Sequence, residues 1–172
     1  MHQTPVVTTD PGAELVDVVD EDDAVLSTVT RADVRARRLR HRCTFVVVRS
    51  STGQVLIHRR SDAKDMWPGR WDLACGGVVT SGEGWDAAAR RELSEELGIV
   101  GAELVPLGGA RYDDDDVCEV ARMWSVIWDG PITFADGEVV EAVFVDTDEL
   151  RGRLQQDRFV PDSVALLGPL LF

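Results

Sequence analysis

Hydrophobic and polar residues alternate along the first half of the chain, and this alternation predicts a series of short strands. The segments ELVDVVD (14–20) and AVLSTVT (24–30) change face at every residue, and EDD between them predicts a turn. CTFVVVR (43–49), STG and QVLIHRR (54–60) together predict a β-hairpin. A further buried strand is predicted over WDLACGGVV (71–79).

The rest of the chain mixes further strands with helices. Strands are predicted at 102–112 and 120–130, and EVVEAVFVDTDEL (138–150) predicts a strand that continues into a helix. Helices are also predicted from a cap at Thr30 to about residue 40 and over 162–168. Strands outnumber helices and are interleaved with them, which favours the α/β or α+β class with a mixed β-sheet.

The segment GVVTSGEGWDAAARRELSEELGI (77–99) predicts a helix over about 85–97 with three glutamates on one side. On a helical wheel, Glu92, Glu95 and Glu96 share an arc of about 100° beside the apolar stripe. Like charges four residues apart cost about 0.2–0.5 kcal/mol even on an exposed helix. A hard divalent cation removes this conflict, because Mg²⁺ prefers the oxygen atoms of carboxylates and phosphates.

The spacing around this helix resembles the Nudix hydrolase signature G-x5-E-x7-R-E-U-x-E-E-x-G-U, in which U is a bulky aliphatic residue. Every specified position matches, and the matching residues are Gly77, Glu83, Arg91, Glu92, Leu93, Glu95, Glu96, Gly98 and Ile99. The resemblance implies a Nudix α/β/α sandwich, with the motif helix beside a mixed sheet. It also implies that water attacks a diphosphate linked to another group, X, with Mg²⁺ or Mn²⁺ as the cofactor.

The same resemblance assigns metal binding and catalysis to the glutamates of the helix and to one backbone carbonyl. The implied ligands are Glu92, Glu95, Glu96 and the carbonyl of Gly76 or Gly77. Three other motif positions are implied to be structural. Arg91 pairs with Glu83 and orients the helix, and Gly98 is suited to the left-handed residue that ends it.

A narrower resemblance covers residues 14–100, which are similar to isopentenyl-diphosphate isomerases and their Nudix relatives of unassigned substrate. Those isomerases need a cysteine followed by Gly-His, and an ungapped alignment puts the cysteine at Gly76 and the histidine at Val78. Cys75 is one residue out of register, and a shift of one residue turns a strand side chain to the opposite face. Cys75 is therefore interpreted as a core residue, and hydrolysis is favoured over isomerisation. His41 matches a metal-binding histidine of the isomerases and is interpreted as structural or substrate-lining.

Two alternatives to hydrolysis stay open at this point: an isomerase of the isopentenyl-diphosphate type, and a non-catalytic protein that binds a nucleotide or metabolite. Hydrolysis would also need a base to deprotonate or orient water, unless the metal ions suffice. The candidate bases are Glu119, Glu138 and Glu141. Candidate phosphate-binding residues precede the motif, and they are Arg59, Arg60, Lys64 and Arg70. A solvated surface position is the alternative for each of these residues.

Composition narrows the class of protein further. The net charge of −13 argues against sequence-independent binding to nucleic acid, which depends on a surplus of Lys and Arg. The acidic run DDDD (113–116) is interpreted as a solvated loop, with a second metal site as the alternative. The chain contains no run of about 18 apolar residues, so no membrane span is predicted. The three cysteines form no CxxC pair, which is typical of reduced thiols in a cytoplasmic protein.

The length of 172 residues predicts one domain. We expect a flexible tail at 1–12, followed by a single Nudix domain at 13–172 with a short strand and helix as its N-terminal extension. The N-terminus has no basic region followed by an apolar stretch, so no secretory signal is predicted. The expected partner is a small-molecule diphosphate, and a homodimer is compatible with these features.

Overall fold

A computed structural model of the protein describes residues 10–172. The strands are β1 (Leu15–Val19), β2 (Val25–Thr30), β3 (His41–Arg49), β4 (Val55–Arg60), β5 (Trp71–Asp72), β6 (Val105–Asp113), β7 (Cys118–Ile127) and β8 (Val139–Val145). The helices are α1 (Arg31–Arg37), α2 (Trp85–Leu97), α3 (Thr147–Gln156) and α4 (Pro161–Leu171). Most of the predicted tail lies outside the described residues. Within them, Pro11–Ala13 forms a single 3₁₀ turn ahead of β1.

The strands form one mixed sheet with β3 near its centre. β3 pairs in parallel with β7 along its whole length, and β7 pairs antiparallel with β6. On the other side, β3 meets β4 at the hairpin, and β4 is antiparallel to both β5 and β8. The β1–β2 hairpin joins β3 through the pairing of Val18 with His41. The mixed sheet that the sequence predicts is therefore confirmed.

Neighbouring residues of β3 point to opposite faces of the sheet. Apolar side chains therefore lie on both faces, and helices cover each of them. Val46 packs with Leu93 of α2 in the core on one face. Phe45 packs with Leu150 of α3 and Leu167 of α4 in the core on the other face. This α/β/α sandwich confirms the predicted fold. None of the described helices combines the length and apolarity that crossing a bilayer requires.

The segment before the motif helix departs from the predicted strand at 71–79. Regular pairing in β5 stops at Asp72, and only Cys75 and Val78 then form single bridges to β3. The cause is a very close approach, since a Cβ atom on Gly76 would collide with the Thr44 carbonyl of β3. The backbone therefore leaves a regular strand and loops past β3 into α2.

Helix boundaries follow local signals closely. α2 spans Trp85–Leu97 as predicted, and Gly98 ends it in a left-handed conformation with φ of 67°. Thr30 caps α1 by accepting a hydrogen bond from the Asp33 N–H at 3.2 Å. α1 is shorter than predicted because Arg38 adopts a left-handed conformation with φ of 49°, so the helix ends at Arg37.

Candidate active site

A cleft of about 670 Å³ lies beside α2. One end is formed by the motif loop and by α2, where Gly76, Gly77, Glu92 and Glu95 line it. A second part of the lining comes from β3, β5, β7 and α4. The N-terminal segment and α1 form a further wall, so the cleft draws residues from most of the chain.

The three motif glutamates differ sharply in exposure. Glu92 and Glu96 are 9% and 2% exposed, whereas Glu95 lies on the exposed side of α2. Burial and the neighbouring Glu92 carboxylate raise the pKa of Glu96 to about 8. Burial also raises the pKa of Glu92. Two buried acidic groups on one helix therefore favour a cation between them and the cleft.

Arg91 holds the glutamates in place. Its Nε donates to Glu83 Oε1 at 2.9 Å, and its Nη1 lies 2.7 Å from Glu92 Oε1 and 3.1 Å from Glu95 Oε2. Its Nη2 donates to the Val78 carbonyl at 3.2 Å. Although burial opposes the change, the hydrogen bond from Arg91 lowers the pKa of Glu83. These contacts place Arg91 at the junction of the motif loop and α2, where the sequence predicts a structural part for it.

The two glycines of the motif loop differ in what their carbonyls contact. The Gly77 carbonyl accepts the Thr44 N–H at 2.9 Å, whereas no described residue donates to the Gly76 carbonyl. A Cβ atom on Gly77 would lie 2.7 Å from Glu92 Oε1, so a side chain at this position would displace the carboxylate. The Gly76 N–H lies 3.3 Å from Glu96 Oε2. Carboxylate and carbonyl oxygens are the ligands that Mg²⁺ and Mn²⁺ take, so this donor set fits such an ion.

Two of the predicted phosphate-binding residues lie in the cleft. Lys64 contacts the Glu138 carboxylate and lies 3.8 Å from Glu96 Oε1. Arg60 donates to the Met66 carbonyl at 3.0 Å, and both basic residues line the cleft with Glu138. Among the three candidate bases, Glu138 is therefore the one placed beside the motif glutamates.

The other candidates lie elsewhere. Arg59 and Glu141 face each other across β4 and β8 with 3.4 Å between Nε and Oε2, and neither residue lines the cleft. Arg70 donates to the Phe159 carbonyl at 3.3 Å and also lies outside the cleft lining. Glu119 lines the part of the cleft formed by β7, opposite His41 in the parallel pairing with β3. Their assigned functions stay predictions.

In that part, a second group of metal-ligand side chains comes together. One ligand atom each of His41, Cys43 and Glu119 lies within 4.8 Å of the others. The Cys43 thiol donates to Glu119 Oε1 at 3.3 Å, and His41 Nδ1 lies 2.9 Å from the Leu39 carbonyl. Burial raises the pKa of Glu119 to about 7 and lowers the pKa of His41 to about 4. Sequence reasoning did not bring these three residues together, because their proximity depends on the β3–β7 pairing.

Sequence reasoning also missed the contribution of the N-terminal extension. Arg31 and Arg35 of α1 line the cleft with Glu14. Glu14 accepts the Thr80 hydroxyl at 2.6 Å and lies 3.2 Å from Arg31 Nη1, which ties the extension to the motif loop. The arginine-rich pattern of α1 marks an exposed helix equally well, so the pattern alone carries no signal for this position.

Two other predictions can be placed in the structure. Cys75 is 1% exposed and packs in the core beneath α2, and burial raises the pKa of its thiol well above the ordinary value. The aspartate run forms the turn between β6 and β7, where Asp114 Oδ1 accepts the N–H groups of Asp116 and Val117 at 2.8 Å each. Asp114 thus has a structural part in this turn.

Comparison with known proteins identifies the family. The sequence model of the NUDIX domain matches residues 39–163. The chain therefore belongs to the Nudix domain family. Uncharacterized Nudix hydrolases of Yersinia pestis and Streptomyces coelicolor are each 40% identical to this chain, over 90% and 91% of it and 84% and 88% of their own lengths. The uncharacterized Nudix hydrolase YfcD of Escherichia coli K12 is 36% identical over 90% of this chain and 85% of its own.

Solved structures agree on the fold. The crystal structure of DR0079 from Deinococcus radiodurans is similar with a TM-score of 0.79 and 27% identity, covering 91% of this chain and 98% of that chain. The MutT protein of Methanosarcina mazei is similar with a TM-score of 0.60 and 21% identity, over 72% and 86% of the two chains, and shows the fold alone. These comparisons do not confirm the narrower likeness to isopentenyl-diphosphate isomerases.

Proposed function

We propose that the protein hydrolyses a diphosphate bond in a small molecule, such as a nucleoside diphosphate derivative, with a divalent cation as cofactor. Membership of the Nudix family supports hydrolysis of this bond class. The observation that carries the proposal is the position of the motif glutamates. Glu92 and Glu95 line one end of a cleft of about 670 Å³, a volume within the usual range for small-molecule sites.

The residues at this end have separate parts in the proposed reaction. Mg²⁺ or Mn²⁺, when bound, would neutralise phosphate charge and lower the pKa of water. Its ligands would be Glu92, Glu95, Glu96 and the Gly76 carbonyl. Lys64 would hold a phosphate oxygen, because its ammonium lies beside Glu96 at the end of the cleft where the diphosphate would bind. Glu138 would take a proton from the attacking water or orient that water.

A substrate panel with one variant tests this function. Nucleoside di- and triphosphates, nucleotide sugars, dinucleotides and isoprenoid diphosphates are incubated with Mg²⁺ or Mn²⁺, and phosphate-containing products are quantified. Glu96→Gln keeps the shape of the side chain and removes its charge, so we expect kcat to fall by about 10³ on every substrate that turns over. Glu103→Gln is the matched control, because Glu103 is exposed and lies outside the cleft.

The result that would contradict the metal assignment is a Glu96→Gln protein with the wild-type rate. Conversion of an isoprenoid diphosphate to its isomer without phosphate release would instead establish the isomerase alternative. Binding without turnover of any compound would point to the non-catalytic alternative. Thermal unfolding of both variants shows whether a lost rate reflects lost folding.

A further inference from the structure

The first residues of β3 and β7 bring three side chains of metal-ligand type together outside the motif helix. His41 and Cys43 are two residues apart in β3, so their side chains point to the same face of the sheet. Glu119 of β7 lies directly opposite His41 in the parallel register. One ligand atom of each residue lies within 4.8 Å of the other two. A nitrogen, a sulfur and an oxygen donor therefore meet at one place.

All three side chains are buried, with exposed fractions of 1% for His41, 5% for Cys43 and 3% for Glu119. Buried polar atoms are nearly always hydrogen-bonded, so each atom of this group should have a partner. His41 Nε2 and Glu119 Oε2 have none among residues 10–172. Leaving a buried polar atom unpaired costs about 1–3 kcal/mol. Two such atoms in one group point to a ligand from outside the protein.

The ring of His41 is oriented for metal binding. Its Nδ1 lies 2.9 Å from the Leu39 carbonyl oxygen. A carbonyl oxygen only accepts, so Nδ1 donates the hydrogen, and the lone pair of a neutral ring is then on Nε2. Metal-binding histidines commonly donate one ring N–H to a carbonyl and bind the ion with the other nitrogen. The unpaired nitrogen of His41 is therefore the one that an ion would use.

The spacing of the three atoms leaves room for one small ion. The Cys43 sulfur lies 3.3 Å from Glu119 Oε1. Two ligands of a tetrahedral Zn²⁺ are about 3.5 Å apart, because Zn–S is about 2.3 Å and Zn–O about 2.0–2.2 Å. Three atoms within 4.8 Å of one another leave a point no more than about 2.8 Å from each, so small side-chain movements would close the site. Cys43 and Glu119 also line the cleft, which gives an ion a path of entry.

We propose that His41, Cys43 and Glu119 bind one Zn²⁺ ion, separate from the divalent cation proposed at α2. Cys43 binds as the thiolate and releases its proton to solvent. The thiolate and the Glu119 carboxylate together balance the charge of the ion, so no net charge is buried. The three side chains leave the fourth position of a tetrahedral ion for water or another ligand.

The two sites differ in donor chemistry. The donor set at α2 consists of carboxylate and carbonyl oxygens, which suit Mg²⁺ or Mn²⁺. A thiolate and an imidazole suit Zn²⁺ and disfavour Mg²⁺. The inference consequently does not rest on the proposed function, and it predicts that the protein binds two different metals.

Metal titrations of the Glu96→Gln protein test the inference, because this variant weakens the α2 site. After chelator treatment and dialysis, calorimetry with Zn²⁺ should give one equivalent, and Co²⁺ should give a sulfur-to-metal charge-transfer absorption. Adding Cys43→Ala should remove this absorption. Adding Cys43→Ala or His41→Gln should weaken Zn²⁺ binding by at least about 100-fold, since even second-shell changes cost about 10–100-fold. Cys75→Ala is the matched control, because it removes another buried thiol and should change neither result.

The outcomes do not depend on any rate of hydrolysis. Zn²⁺ binding that survives in both Cys43→Ala and Glu119→Gln would overturn the inference. Binding in the wild type that is missing from Glu96→Gln would place the ion at α2 and would also overturn it. If Cys43→Ala does not fold, Cys75→Ala and Cys118→Ser leave Cys43 as the only thiol of the chain. The Co²⁺ charge-transfer absorption of that protein would then support the site, and its absence would overturn it.

Discussion

Two parts of the cleft lining are built in different ways. The end at α2 comes from one continuous stretch, in which residues 76–98 supply the glycine loop, the glutamates and Arg91. The second part of the lining is assembled from four elements, β3, β5, β7 and α4, and its carboxyl groups at 72, 119 and 162 are far apart in the chain. A continuous stretch fixes its geometry by local spacing. An assembled lining can change one wall without disturbing the others, which suits it to selectivity.

The two parts also differ in how their charge is balanced. At the α2 end, Arg91 contacts three carboxylates and Lys64 contacts two. In the second part of the lining, Glu119 makes no ion pair among the described residues. The α2 end is thus arranged around cations, whereas the second part keeps an acceptor available. The comparison predicts that chemistry depends on the α2 end and that selectivity depends on the second part of the lining.

The largest expected effect concerns the candidate general base, Glu138. Glu138→Gln should lower kcat by about 100-fold, because Glu138 lines the cleft beside Lys64 and general-base catalysis contributes about that much. Glu141→Gln should change kcat by less than about threefold, since Glu141 faces Arg59 outside the cleft. Steady-state kinetics on the best substrate measures both. Equal losses in the two variants would remove Glu138 from the reaction.

A second test uses the buried glutamate of α2. Burial and Glu92 raise the pKa of Glu96 to about 8 from an ordinary value of 4.5. Between about pH 6.5 and 8.5 the unfolded chain carries ionised Glu96, while the folded protein keeps it protonated up to about pH 8. Folding therefore takes up a proton, and the free energy of unfolding should fall by about 2 kcal/mol across this window in the presence of a chelator.

Thermal unfolding across this window measures the effect, and the loss should appear as roughly 4–8 °C in Tm. Glu96→Gln should show a smaller decline, because one buried carboxyl with a raised pKa is lost while Glu92, Glu119 and Asp162 still act in the same direction. His41 and His58 have pKa values lowered to about 4 by burial, so their opposite effect lies below about pH 6.5. An unchanged slope in Glu96→Gln would show that Glu96 does not carry the charge conflict.

Local signals account for what the sequence predicted well. The glutamates of α2 recur at helical spacing, and Gly98 ends the helix in the conformation that glycine favours. The parallel pairing of β3 with β7 is a long-range event, and it alone sets His41 opposite Glu119. No local pattern reports that pairing. This is why the grouping of His41, Cys43 and Glu119 escaped prediction while the motif end did not.

Strand geometry explains why only some of the predicted phosphate-binding residues line the cleft. Arg59 and Arg60 are neighbours in β4, so their side chains point to opposite faces. Arg60 consequently lines the cleft, whereas Arg59 reaches Glu141 at the surface. The sequence offered both residues as phosphate ligands with equal weight, because it does not show which face of β4 borders the cleft. The position of Lys64 depends in the same way on the loop that follows β4.

A smaller effect tests the wall contributed by α1. Arg35 lines the cleft, and its Nε lies 3.4 Å from Asp65 Oδ2. Arg35→Gln should raise KM by about fivefold with little change in kcat, because a positive charge on the path of an anionic substrate is lost. Arg37→Gln is the matched control, since Arg37 lies on the exposed side of the same helix. A fall in kcat with unchanged KM would place Arg35 in the reaction.

The smallest expected effect concerns Cys75, which lies in the core beneath α2. Cys75→Ala should keep kcat within about twofold and cost about 1 kcal/mol of stability, because it removes one small buried side chain. The buried thiol lacks access to the cleft lining, and its raised pKa disfavours the thiolate that covalent or acid–base chemistry would use. Steady-state kinetics and thermal unfolding on the same preparation measure the two effects. Loss of activity in a folded Cys75→Ala protein would show that this core side chain takes part in the reaction and would favour the isomerase alternative.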